Sequence, residues 1–176
     1  MKRTLIVVDM QNDFIDMALG TKEAVAIVPR VQAKIRRYAE QGYEIIYTRD
    51  THEENYLDTA EGKKLPVPHC IRGTKGWEIA PGLYIPGCKI IDKPNFGWTG
   101  WKQHAFGEVE LVGLCTDICV VSNALLIKAM FPEAVVRVDP GCCAGVTPKS
   151  HEAALTTMTM CQIDIIGENK GVSYHV

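Results

Sequence analysis

Short apolar runs alternate with amphipathic stretches along most of the chain. Thr4 to Val8 is continuous, apolar and β-branched, the pattern of a strand buried on both faces of a parallel sheet. Glu44 to Thr48, Lys89 to Asp92, Val109 to Leu114, Ala134 to Val138 and Ile163 to Ile166 predict further short strands. Between the first two, Pro29 is placed to open a helix with Val31, Ile35, Tyr38 and Ala39 inward and Arg30, Lys34, Arg36 and Arg37 facing water. Gly42 supplies its stop. After the Val109–Leu114 run, Thr116 and Asp117 stand where a helix would be capped, and Val120, Ala124, Leu125 and Ile127 recur at helical spacing. Pro148 to Met160 predicts another helix. Residues 53–87 show little periodicity, but Trp77, Tyr84 and several prolines point to an ordered flap. Strands alternating with helices call for a three-layer α/β/α, Rossmann-like architecture: a mostly parallel sheet with helices on both faces. One domain over residues 1–176 is the simplest division, long enough to bury roughly 70% of its unfolded surface.

Charge and composition then narrow the function classes. A formal charge of −2 with interspersed signs leaves no basic stripe, so neither nucleic acid nor a membrane surface is an expected partner. No apolar run approaches the roughly 20 residues of a membrane span, and Asp9 cuts the N-terminal run too short for a secretion signal. Seven cysteines, an odd number without paired zinc-finger spacing, read as reduced thiols in a cytoplasmic protein.

Polar residues recur just after the predicted strands, where ligands bind in open α/β sheets. They are Asp9, the Arg49-Asp50-Thr51-His52 run, Lys93 and, past the central strand, Cys119. A cysteine near the first turn of a helix sits beside exposed N–H groups and the positive end of the helix dipole, which stabilise a thiolate and an oxyanion. Such a nucleophile also needs a base to take its proton and a cation to lower its pKa, chemistry that an Asp and a Lys supply. Asp50, His52 and His69 suit a divalent transition metal, zinc foremost with iron or manganese also compatible. A fourth ligand is open between Glu61, Asp58 and water. No dinucleotide fingerprint, phosphate-binding P-loop or serine nucleophile elbow is present.

Several segments together resemble the isochorismatase-like cysteine hydrolases, and within them the nicotinamidases. They are Val8-Asp9-Met10-Gln11-Asn12-Asp13-Phe14, Arg49-Asp50-Thr51-His52, Pro68-His69-Cys70-Ile71-Arg72-Gly73-Thr74-Lys75-Gly76, Lys93, and Gly113-Leu114-Cys115-Thr116-Asp117-Ile118-Cys119-Val120, in family order and spacing. The resemblance implies an amidohydrolase that converts nicotinamide to nicotinate and ammonia through a thioester, as in NAD salvage. It implies a triad of Cys119 as nucleophile, Asp9 as general base and Lys93 as the cation that lowers the thiol's pKa. It further implies a cis peptide at Leu114–Cys115 and an oxyanion hole built from the backbone N–H groups of Cys115 and Cys119. Asp50, His52 and His69, with Glu61 as a candidate fourth ligand, would hold a metal that binds the substrate's ring nitrogen, and Phe14 would supply an aromatic wall. The implied partners are a small amide and further copies of the chain. One departure concerns the ring-stacking aromatic the family places shortly before the metal-binding His. Here that stretch is Leu65-Pro66-Val67-Pro68, leaving Trp98, Trp101 or Tyr56 to take the role, or a substrate that is not a pyridine. The alternatives are a metal-free-type hydrolase of a carbamoyl amide or isochorismate, and a non-catalytic or thiol-redox binding protein.

Overall fold

The computed structural model describes residues 3–167. Its strands are β1 (Arg3–Val8), β2 (Glu44–Asp50), β3 (Lys89–Lys93), β4 (Glu108–Leu114), β5 (Val135–Ala144) and β6 (Asp164–Ile165). Its α-helices are α1 (Asn12–Ile15), α2 (Lys22–Glu40), α3 (Ala60–Lys64), α4 (Val121–Met130) and α5 (Pro148–Met160). The strands form one sheet in the order β3-β2-β1-β4-β5-β6, with every pairing parallel. The chain winds outward from β1 on one side and then outward from β4 on the other. Connections therefore leave the carboxyl ends of β1 and β4 in opposite directions, which opens a crevice between them.

Successive β1 side chains point to opposite faces of the sheet. Leu5 and Val7 pack with Ile27, Val31 and Ile35 of α2. Ile6 and Val8 pack with Ala124 and Ile127 of α4 and with Leu155 and Met158 of α5. All four β1 residues are fully buried, and each such burial stabilises the fold by about 1.5–3 kcal/mol. With both faces covered, a polar residue in this strand needs a partner, as the Thr4 hydroxyl finds in the Glu44 carboxylate at 2.9 Å. Among the described residues, no helix is long and apolar enough to cross a membrane.

Three local expectations are corrected. Helix α2 begins at Lys22, not Pro29, because Thr21 caps it by accepting the Ala24 N–H. Pro29 lies inside the helix, where Ala24, Ile27 and Val31 on one buried face hold the helix through the missing hydrogen bond. Lys34 does not face water: it is 8% exposed and pairs with Glu110 of β4 and Asp139 of β5, while Tyr38 donates to the other oxygen of Glu110 at 2.6 Å. Strand β5 continues past Val138 to Ala144, because a register shift opposite Leu111 and Gly113 accommodates Pro140 and Gly141.

The 53–87 region is ordered. It contains a 3₁₀ turn at Tyr56–Asp58 and helix α3, capped by Thr59. Trp77 lies under the Arg49 guanidinium at 3.5 Å and donates to the Thr51 hydroxyl at 2.8 Å. Tyr84 meets the ring of Tyr47 edge-on.

Gly113 fixes how closely β4 approaches β1. Its φ is +119°, and a Cβ there would stand 2.1 Å from the Val8 carbonyl oxygen. Gly113→Ala should cost about 3 kcal/mol or more, through both strain and overlap with backbone that cannot move aside. Gly42→Ala, at φ +67° with open space around it, should cost only about 1 kcal/mol. Urea midpoints of the two variants check this; equal midpoints would mean the β1–β4 contact yields.

Candidate active site

Four neighbouring strands each deliver one group to the crevice: Lys93 ends β3, Asp50 ends β2, Asp9 follows β1, and Cys119 lies in the turn after β4. Asp9 leaves its strand at φ +47°, a conformation an aspartate tolerates better than most residues. Its Oδ1 accepts the Thr48 hydroxyl at 2.6 Å. Lys93 Nζ lies 2.6 Å from Asp9 Oδ2, 3.5 Å from Cys119 Sγ and 3.5 Å from Asp50 Oδ1, and donates to the Asn95 carbonyl at 3.1 Å. Lys93 and Asp9 are fully buried, and Cys119 is 4% exposed.

Burial sets the electrostatics. It pushes the Asp9 carboxyl up; Lys93 pulls it back only in part, and the charge of Asp50 adds to the rise. Burial alone would lower the Lys93 ammonium, but Asp9, Cys119 and Asp50 together hold it above an ordinary lysine. The Cys119 thiol is raised well above its usual range by burial and by Asp9, with Lys93 acting in the opposite sense. Lys93 thus favours the thiolate without winning outright. The three groups are thus placed so that a proton can pass between the thiol and the Asp9 carboxyl beside the lysine.

The turn that carries Cys119 differs from the sequence expectation. Thr116 and Asp117 do not cap a helix. Residues Thr116–Val120 form a π turn, in which Val120 N–H bonds the Cys115 carbonyl five residues back, before α4 begins at Val121. The Thr116 hydroxyl is instead bonded to His151 of α5 at 2.8 Å, and Asp117 accepts the Val146 N–H. The peptide Leu114–Cys115 is cis.

Asp50, His52, Glu61 and His69 form a second cluster, whose ligand atoms all lie within 4.8 Å of one another. His52 Nε2 is 3.1 Å from Asp50 Oδ2 and 3.7 Å from Glu61 Oε1; His69 Nε2 is 3.7 Å and 3.8 Å from the same two oxygens. Ligands about 2 Å from a tetrahedral zinc stand roughly 3.4 Å apart, so the donor set fits such an ion. His69 donates from Nδ1 to the Val67 carbonyl at 2.8 Å, which leaves Nε2 as the donor toward the cluster. Asp58 is not part of the group.

A cavity of about 510 Å³ joins the two clusters, with Asp50, Glu61 and His69 on one side and Cys115 and Cys119 on the other. Phe14 lines it, its ring centroid 5.5 Å from that of His69. None of the three aromatic residues considered for ring stacking does. Tyr56 is wedged behind the histidines, 4.7 Å from the ring of His52 and 5.0 Å from that of His69. Trp101 is fully buried against Trp98. The opposing apolar walls are Leu19, Leu65, Phe96 and Ile118.

Two motif residues do work that residue type alone did not reveal. Gln11 exchanges hydrogen bonds with the backbone of Asp50, at 2.9 Å and 2.7 Å. Asp13 accepts the N–H of Cys70, next to His69, at 2.7 Å. The segment after β1 thereby anchors both limbs of the candidate ligand set.

The family model described as Isochorismatase domain matches residues 3–169. A nicotinamidase/pyrazinamidase of Mycobacterium tuberculosis is 26% identical over 184 residues, which cover 93% of this chain and 98% of that protein. The crystal structure of the pyrazinamidase of Pyrococcus horikoshii in complex with zinc aligns with a TM-score of 0.80 at 28% identity, over 94% of this chain and 99% of that one. N-carbamoylsarcosine amidase of Thermoplasma acidophilum aligns with a TM-score of 0.77 at 26% identity, over 97% and 100%.

The donor set predicts about one divalent transition metal per purified chain, lost in His52→Ala. Elemental analysis after reconstitution with zinc, iron or manganese tests this, with a thermal melt before and after chelation as a second reading. A chain that takes up none of the three would remove the metal site.

Proposed function

Because the chain belongs to the isochorismatase domain family, we propose that it is a cysteine amidohydrolase cleaving the C–N bond of a small carboxamide, nicotinamide foremost, to the acid and ammonia. The observation that carries this reading is the buried contact of Lys93 with both Asp9 and Cys119, of which Cys119 lines the cavity. Cys119 Sγ bonds to the carboxamide carbon while its proton passes to Asp9. The C–N bond breaks as Asp9 returns that proton to nitrogen, releasing ammonia and leaving a thioester. Water then adds to the thioester, gives a proton to Asp9 and expels the Cys119 sulfur, which takes the proton back.

Lys93 balances the carboxylate and the sulfur as charge moves between them. The carbonyls of the π turn are already engaged: Cys115 O accepts from Ile118 and Val120, and Cys119 O accepts from Asn123. The oxyanion hole at the Cys115 and Cys119 N–H groups rests on the family resemblance. Asp50, His52, His69 and Glu61 would hold a divalent metal, zinc in our reading, which when bound supplies a Lewis-acid anchor for a ring nitrogen. The relatives named nicotinamidase and pyrazinamidase support a pyridine- or pyrazine-type amide. The seven thiols are all free, which supports a reducing, cytoplasmic setting. Homo-oligomeric assembly rests on the family resemblance.

One observation favours a second reading, a carbamoyl amide. Leu19 and Leu65 line the cavity where a flat ring would be sandwiched, and a carbamoylsarcosine amidase is among the structural relatives. Ammonia release from nicotinamide, pyrazinamide and carbamoyl amino acids, measured side by side, separates the two.

Cys119→Ala should abolish ammonia release while keeping the fold. Cys115→Ala should be much milder, since the reading uses only its N–H. A dead Cys115 variant beside an active Cys119 variant would overturn the nucleophile.

The raised Cys119 thiol predicts that iodoacetamide labels this residue faster as pH climbs beyond the range of an ordinary thiol. Lys93→Ala removes the one cation acting downward, so the labelling profile should move to still higher pH, each unit corresponding to about 1.4 kcal/mol. Turnover should fall by orders of magnitude, with little recovery in Lys93→Arg. Superimposable profiles with unchanged turnover would place Lys93 outside the chemistry.

A further inference from the structure

Asn123 on α4 is fully buried among apolar neighbours, with Val120, Ala124 and Ile127 on the same helical face. Its carboxamide makes four hydrogen bonds. Oδ1 accepts from the Trp98 backbone N–H and from Trp101 Nε1, both at 2.9 Å, and Nδ2 donates to the Phe96 carbonyl at 3.0 Å and the Cys119 carbonyl at 2.7 Å. Only a group with both an acceptor and two donors can do this, so asparagine is not interchangeable here with aspartate, leucine or threonine. Two of the bonds hold the 94–98 loop, one holds a tryptophan behind it, and one holds the turn of the nucleophile.

That loop contributes Phe96 to the lining of the cavity that Cys119 also lines. Phe96 is 38% exposed, so its place depends largely on the backbone that carries it. The backbone is pinned on both sides: Lys93 Nζ holds the Asn95 carbonyl, and Gly97 sits so close to α4 that a Cβ would lie 2.6 Å from Leu126 Cδ1. We propose that Asn123 is a positioning residue, which sets the distance between the Phe96 wall and the Cys119 sulfur and so determines how tightly a flat or apolar acyl group is held over the nucleophile. The proposal rests on reading this cavity as the substrate site.

Asn123→Thr divides the two halves of the contact. A threonine hydroxyl reaches the carbonyl four residues back, as Ser122 does to Ile118 at 2.6 Å, but it cannot reach Phe96 or Trp98. With nicotinamide as the probe, KM should rise about tenfold, the effect of one or two lost buried hydrogen bonds, while kcat stays within about threefold. Phe96→Ala should raise KM similarly, and the double variant should be no worse than either single one. Trp101→Phe, which loosens the same cluster without freeing the loop, should leave KM within about twofold.

Unchanged KM in Asn123→Thr, an equal rise in Trp101→Phe, or multiplied effects in the double variant would overturn the proposal. So would a fall in kcat with KM intact. If Asn123→Thr does not stay folded, Asn123→Ser keeps a hydroxyl of the same reach to the Cys119 carbonyl with less bulk, and the same rise in KM is required of it. Should the wild type fail to release ammonia from nicotinamide, the proposed function is what fails. Asn123 is then judged on Cys119 labelling, followed by mass spectrometry, with N-benzylmaleimide against iodoacetamide. Their rate ratio should shift in Asn123→Thr, and an unchanged ratio overturns the proposal.

Discussion

One buried ammonium holds this site together. Taking a charge out of water costs several kcal/mol, which partners must offset. Lys93 has Asp9 at 2.6 Å and Asp50 at 3.5 Å, and Asp50 is also bonded by His52 and His69. The dependence is greatest on the lysine, since removing it leaves two buried carboxylates without the cation between them, whereas removing either carboxylate leaves a matched pair. The lysine also joins the two clusters. Asp9 stands beside Cys119 and Asp50 belongs to the histidine group, so a change of charge at one carboxylate is felt at the other through the lysine between them.

The topology explains why this residue is a lysine. Strands stand about 4.8 Å apart in a sheet, and β3 is separated from β1 by β2. Lys93 pairs in register with Asp50, so its stem must cross the end of β2 to meet Asp9. A long, unbranched stem ending in a compact charge makes that crossing; a histidine is too short and the arginine fork too broad. The carboxyl ends of β3, β2, β1 and β4 then read, in spatial order, Lys93, Asp50, Asp9 and Cys119.

The groups just named were legible as a polar residue after each apolar run, the place where open α/β sheets bind ligands. Metal-type donors two residues apart across a flap were legible for a similar reason. Features that depend on third parties were not. Lys34 looked solvated because a helical wheel cannot know that Glu110 and Asp139 lie opposite. Thr116 and Asp117 have capping chemistry, but His151 and the Val146 N–H claim them. Pro29 reads as a start only if Thr21 is overlooked. Tyr56, Trp98 and Trp101 were plausible ring-stackers by residue type, yet packing behind the cavity claimed all three, while Phe96 lines it. Asn123 did leave a signal: a carboxamide on the apolar stripe of Val120, Ala124 and Ile127 is a buried polar group that must have found partners.

The π turn at Thr116–Val120 has a consequence for what insertions and deletions the chain can survive. An ordinary helix advances roughly 100° per residue, and this turn accommodates one residue more than an α-helical turn would. Deleting Asp117, for example, would restore regular winding and swing the sulfur by about that angle, away from the ammonium, with every side chain that lines the cavity still present. The length of this segment is thus as strict a requirement as its composition, and two chains with identical catalytic residues but a turn one residue different would not share a reactive centre.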